Sequence, residues 1–190
     1  GDALAAAGDP KDAATAYRNA VDDKDLEATA QAKLGELCYA EGDYPCAAEG
    51  LSHALRKKTW TDDQKQRMDT MQQNAERLQA LAMAHDLPSQ LRVDHLIQDA
   101  RIATARVTSC MAKSDTANET LNSLQQQWEA LNTAKNRAEL RHDDDLQDQY
   151  RALVFASEKA AVSACGAATG DDALLLYLAD HPETRMGGQQ

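Results

Sequence analysis

The stretch Ala32–Leu55, AKLGELCYAEGDYPCAAEGLSHAL, constrains this chain most. Leu34, Gly35 and Cys38–Tyr39 lie on one side of a helix, Gly42-Asp43-Tyr44-Pro45 is a turn, and Ala47, Leu51, Ala54 and Leu55 form one face of a second helix. Helices joined by so short a turn lie antiparallel and touch. Gly35 and Ala47 are the small residues that permit a close contact. Aromatic residues make up only 4% of the chain, and Ala, Leu, Gln, Asp and Glu dominate. Long helices bury such residues well, whereas strands favour β-branched and aromatic side chains. The expected fold class is all-α.

A shift of 34 residues toward the N-terminus carries Gly42-Asp43, Ala47, Leu51 and Ala54 onto Gly8-Asp9, Ala13, Tyr17 and Ala20, and each position keeps its type. A helix–turn–helix unit of this period resembles the tetratricopeptide repeat. The resemblance covers about residues 1–59. The forward shift fails, because the turn glycine maps to Glu76. Gln31 stands where the family places a first-helix tryptophan, Cys38 stands where an aromatic is common, and the first repeat lacks most of its first helix. The resemblance implies a non-enzymatic interaction or scaffold protein that binds a protein or peptide in a groove lined by first helices. Its outward positions would be Thr29, Lys33, Glu36 and Ala40, with Tyr39 either in the groove or against the neighbouring helix. The family's clamp for chaperone tails is absent: the matching places hold Ala32, Lys33, Glu36, Asp63 and Arg67.

In chain order, helices are expected at about 3–7, 10–21, 26–40 and 44–57. Thr61-Asp62-Asp63-Gln64 is a capping box. It opens a long helix to about His85 that carries Met68, Met71, Ala75, Leu78 and Ala82 on one face and would seal the repeat pair. Leu87-Pro88-Ser89 is a break. Three long amphipathic helices follow, at about 89–112, 116–140 and 144–165, the second with Ala117, Leu121, Leu124, Trp128, Leu131 and Ala138 in its apolar stripe. Their short connections predict an up-down-up bundle. Gly166 is a C-cap candidate, and a short apolar helix from Asp172 to about Ala179 should dock on the bundle. The expected domains are therefore 1–87, a repeat region with a long capping helix, and 88–190, a three-helix bundle with a docked C-terminal helix.

The net charge of −11 argues against nucleic acid and anionic membranes as partners. No apolar run is long enough to span a membrane. The chain opens at Gly1 without methionine and inside an expected helix, so a longer natural chain with a cleaved leader is expected, and with it an exported location in a bacterial envelope; the cytoplasm is the alternative. Self-association through the repeat region, as a homodimer, is the alternative role.

The chemistry-bearing residues point to no active site. Cys38, Cys46, Cys110 and Cys165 form no CxxC pair and have no histidines at zinc-ligand spacing. In an up-down-up bundle the first and third helices run parallel, which brings Cys110 and Cys165 to one end as a disulfide candidate closing 54 intervening residues. Cys38 and Cys46 flank the repeat's turn and are a second candidate. Four apolar thiols in a reducing compartment is the alternative. His142-Asp143-Asp144-Asp145 reads as acids in a first helical turn rather than a metal site, since it lacks the glycine and spaced oxygens of a calcium loop. No nucleophile elbow or phosphate loop occurs, and no cofactor is expected. Trp128 reads as core, and Trp60, at a boundary, as the better candidate for an exposed contact.

Overall fold

A computed structural model describes residues 1–57, 60–84, 87–113, 118–134 and 137–181, and every regular element among them is a helix. The helices are α1 (Asp2–Ala6), α2 (Pro10–Ala20), α3 (Glu27–Ala40), α4 (Tyr44–Leu55), α5 (Asp62–Leu81), α6 (Ser89–Lys113), α7 (Glu119–Ala134), α8 (Arg137–Leu140), α9 (Asp144–Cys165) and α10 (Asp171–Asp180). They divide into two compact units, Gly1–Gln79 and Ala80–His181.

In the first unit the 34-residue offset reappears bond for bond. Gly8 and Gly42 both take φ +77°, a conformation glycine adopts without a Cβ penalty. Asp9 N–H donates to the Leu4 carbonyl (3.0 Å) and Asp43 N–H to the Cys38 carbonyl (2.8 Å), again 34 residues apart. The Asp9 and Asp43 carboxylates then cap α2 and α4, accepting from the backbone N–H of Asp12 and Cys46 at 3.2 Å each. A proline follows each cap, where its missing N–H is harmless. Thus the same short code, Gly-Asp with a proline in the first helical turn, builds both turns.

The core of this unit packs small residues against a few large ones such as Tyr44 and Leu78. Ala13, Cys38, Ala47, Leu51 and Ala54 are completely buried. A Cβ on Gly35 would lie 2.7 Å from Leu51 Cγ and 2.9 Å from the Leu51 backbone nitrogen. A Cβ on Gly50 would meet the Gln31 carbonyl oxygen at 3.0 Å and the Gly35 backbone at 3.1 Å. Backbone atoms cannot swing aside, so α3 and α4 approach this closely only because both positions are glycine. Gly35→Ala is expected to lower stability by about 1–2 kcal/mol: overpacking outweighs the gain in helix propensity. Urea denaturation checks this; an unchanged midpoint would refute the close crossing.

α5 begins with the reciprocal capping box expected from sequence: Gln64 N–H donates to Thr61 Oγ1 (3.3 Å) and Thr61 N–H to Gln64 Oε1 (3.1 Å). The helix ends at Leu81 rather than near His85, which itself lies outside the described residues. The Ala82 carbonyl is engaged instead by His95 Nδ1 at 2.6 Å.

In the second unit α6 and α9 run parallel. Near their N-termini Arg92 donates to Gln147 Oε1 (2.5 Å) and Asp144 (3.2 Å), and Ser89 Oγ to the Arg141 carbonyl (3.0 Å). At their C-terminal ends Cys110 and Cys165 meet. α7 packs on both, placing Trp128 in the core with its indole N–H on Ser157 Oγ at 2.9 Å. The expected helix over 116–140 is seen as α7 and α8; Ala117 lies outside the described residues, and Ala138 is exposed rather than part of the apolar stripe. Asp143 caps α9 by accepting from Leu146 N–H at 2.9 Å. Gly166 (φ +87°) ends α9 and Gly170 (φ +59°) precedes α10, which docks on α9 and α6 through Leu175 and Leu178.

Candidate docking groove, cysteine pairs and buried acid

The open face of the first unit is a hollow of about 430 Å³ lined by Tyr39 of α3 and by Asp63, Gln66, Arg67, Thr70, Met71 and Asn74 of α5. The α5 residues recur at spacings of three and four, which puts them on one face of the helix. The opposite face buries Met68, Ala75 and Leu78. Arg67 pairs with Glu36 of α3, and Lys33 stands 3.9 Å from the same carboxylate. These pairs are largely exposed and contribute at most about 1 kcal/mol each; they order the side chains at the rim rather than hold the fold.

The five sequence-predicted contact residues are dispersed. Tyr39 lines the hollow, half-buried, with its ring edge-on to Tyr44 at 6.0 Å. Glu36 and Lys33 reach it through Arg67. Thr29 is exposed on α3 nearer its start and is not in the lining. Trp60 is half-buried: its indole N–H donates to the Ala54 carbonyl at 2.7 Å, and its ring packs on the cluster of Ala32, Leu51, Ala54 and Met68. The indole thus fastens the residues just before α5 to α4 rather than standing out as an exposed contact. In the α5 half of the groove the sequence alone points to Asp63 and Arg67, as clamp-matching places, and not to Gln66, Thr70, Met71 or Asn74, although the i, i+3, i+4 stripe is visible once the helix faces are drawn.

Both cysteine pairs stand at disulfide distance. The Cα–Cα separations are 5.8 Å for Cys38–Cys46 and 5.7 Å for Cys110–Cys165, in the usual range for a bridge. Ligand atoms of Cys38, Asp43 and Cys46 lie within 4.8 Å of one another, a grouping that as free thiolates would suit a soft divalent metal. The Asp43 carboxylate, however, is engaged in capping α4, and each sulfur faces the other.

The second unit contains a buried acid that sequence reading passed over. Glu158 of α9 is completely buried; among the described residues no hydrogen bond of ordinary geometry reaches its carboxylate oxygens, and the carboxyl of Asp172 is its polar neighbour. Burial, and then the neighbouring charge of Asp172, push it up to about 8 against the pull of Arg106. Burial likewise raises Asp172, on α10. Arg106 of α6 stands 3.8 Å from Asp172 and donates to the Gly166 and Ala167 carbonyls (3.0 and 3.3 Å), tying the α9–α10 connection to α6. The signal was present: Glu158 follows Tyr150 and Val154 at helical spacing, within the apolar stripe.

No family model, no curated protein and no solved structure matches this chain. Among the described residues no helix is long and apolar enough to cross a membrane.

Proposed function

We propose that this is a non-enzymatic docking protein of the tetratricopeptide type, working in an oxidising, exported compartment, whose first unit holds a segment of a protein partner. The groove of Tyr39, Arg67 and Met71 carries the reading. It offers an aromatic face, a guanidinium, an adaptable thioether and the amides of Gln66 and Asn74 along one hollow, the mixture that an extended peptide with polar backbone and varied side chains requires. The duplicated turns at Gly8 and Gly42 support the repeat assignment. The two cysteine pairs at bridging distance support the oxidising compartment.

A photo-crosslinking amino acid in place of Thr70 tests this in the source cells. The expected result is a discrete protein adduct that falls at least about tenfold when Tyr39→Ala and Arg67→Glu are combined, as loss of an aromatic and an arginine anchor predicts. An adduct of equal yield from a probe at exposed Arg56 would sink the groove as the docking site. An adduct with the mass of two copies of this chain would favour self-association through the repeat region, which light scattering over a concentration series then measures directly.

A further inference from the structure

A second hollow, within the Ala80–His181 unit, is of a different kind. It measures about 750 Å³, in the range of small-molecule sites. It follows one face of α6 from Ile97 to Ala112, with Leu140 and Tyr150 as its far wall. At about 1.5 Å per residue this face is roughly 22 Å long, so the hollow is a trough rather than a compact pocket.

The lining is chemically selective. Thr104 and Thr108 are polar in name only, because their hydroxyls donate to the helix's own carbonyls at Ala100 (2.7 Å) and Thr104 (2.9 Å). The chain has 31 acidic residues and a net charge of −11, yet no carboxylate is among the described lining residues. Among the described lining residues the one charged side chain is Arg101, exposed and one turn from the Ile97 end, with no ion-pair or hydrogen-bond partner among the described residues. Ser109 is a further polar residue of the described lining, and a largely apolar trough with an unpaired guanidinium near one end complements a long alkyl chain ending in a carboxylate. An α-helix of a partner would be about 10 Å across with its side chains and would bring polar faces that this lining does not answer.

We propose that the trough along α6 binds a free long-chain carboxylate, with the headgroup on Arg101 and the tail running over Ala105 and Thr108 toward Ala112. The site is independent of the groove in the first unit and does not rest on the docking reading.

Isothermal titration of the delipidated full chain with tetradecanoate, kept below its micelle concentration, tests it. Saturable one-to-one binding in the micromolar range is expected. Arg101→Gln should weaken it about tenfold or more, the effect of one lost charge-assisted bond. Ala105→Trp, which fills the trough from an exposed helix position, should remove it while leaving the circular dichroism spectrum unchanged; Ser109→Phe serves the same purpose if that variant misfolds. The cationic tetradecyltrimethylammonium should bind no better than to Arg101→Gln. Absence of saturable binding, equal affinity for the cationic amphiphile, or unchanged binding in both the Arg101 and the trough-filling variants would overturn the proposal. So would a polypeptide crosslinked from position 105 that tetradecanoate does not displace, since the occupant would then be a partner helix.

Discussion

Replacing Cys110 and Cys165 together by alanine is expected to lower the stability of the Ala80–His181 unit by about 4 kcal/mol. With Cα atoms 5.7 Å apart, the two cysteines can be joined without moving either helix. The closed loop takes in α7, α8 and α9, at a sequence separation of 55. On the chain-entropy account a loop of that length restricts the unfolded chain by about 4 kcal/mol, whereas the separation of 8 between Cys38 and Cys46 gives about 2.5 kcal/mol. Against a typical total of roughly 5–15 kcal/mol, the longer bridge is a large share. Guanidinium unfolding of wild type and double variant, each with and without reductant, measures it. The wild type should fall to the variant's level on reduction, and the variant should not respond at that site. Intact mass after alkylating the unfolded, unreduced protein from its native source decides the premise: four modified thiols would remove both the bridges and the argument for an oxidising compartment.

Stability of the same unit should also fall as pH rises from about 4.5 to about 8, and Glu158→Gln should abolish most of that slope. The folded state holds Glu158 with a value near 8, above the ordinary 4.5 of an unfolded chain. Between those values the folded protein retains a proton that the unfolded chain has lost, so raising the pH favours unfolding. Below the window the acid is neutral in both states and imposes no penalty; above it the loss is complete. The groups around it are fixed by three helices: Arg106 on α6 favours ionisation, Asp172 on α10 opposes it, and Asp171 acts on Asp172. The shift implies a stability difference of roughly 3 kcal/mol across the window, allowing for some relaxation around the ionised group. Glutamine keeps the shape and cannot ionise, so the variant should match wild type near pH 5 and exceed it at pH 9. Urea midpoints at pH 5, 7 and 9 read this out. Parallel curves for the two proteins would show that Glu158 is solvated in the folded state.

The two units differ in how much of them could be read from the chain. Helix starts were legible because their signals are local. Asp9, Asp43 and Asp143 each cap a helix three residues on, and Thr61 with Gln64 closes a reciprocal box within one turn. The pairing of Cys110 with Cys165 was legible for a topological reason: short connections force antiparallel neighbours, which makes alternate helices parallel. Helix ends were less so. α5 stops at Leu81, and the carbonyl of the next residue, Ala82, is engaged by His95, thirteen residues away; no local signal marks such a contact.

What the sequence determined by itself is the all-α class, the 34-residue duplication with its glycine turns, and the alternation of apolar and polar helix faces. Each follows from residues within about four positions of one another, or from a repeat that sequence comparison exposes directly. Tertiary structure alone decided that Gly50 faces Gly35 across the hairpin, that Glu158 is sealed in with Asp172 and Arg106, and that α5 supplies most of the first groove. Those outcomes depend on the rotation and register of one helix against another. A shift of one residue turns a helix face by about 100°, and nothing in a single helix's own pattern specifies which neighbour that face will meet.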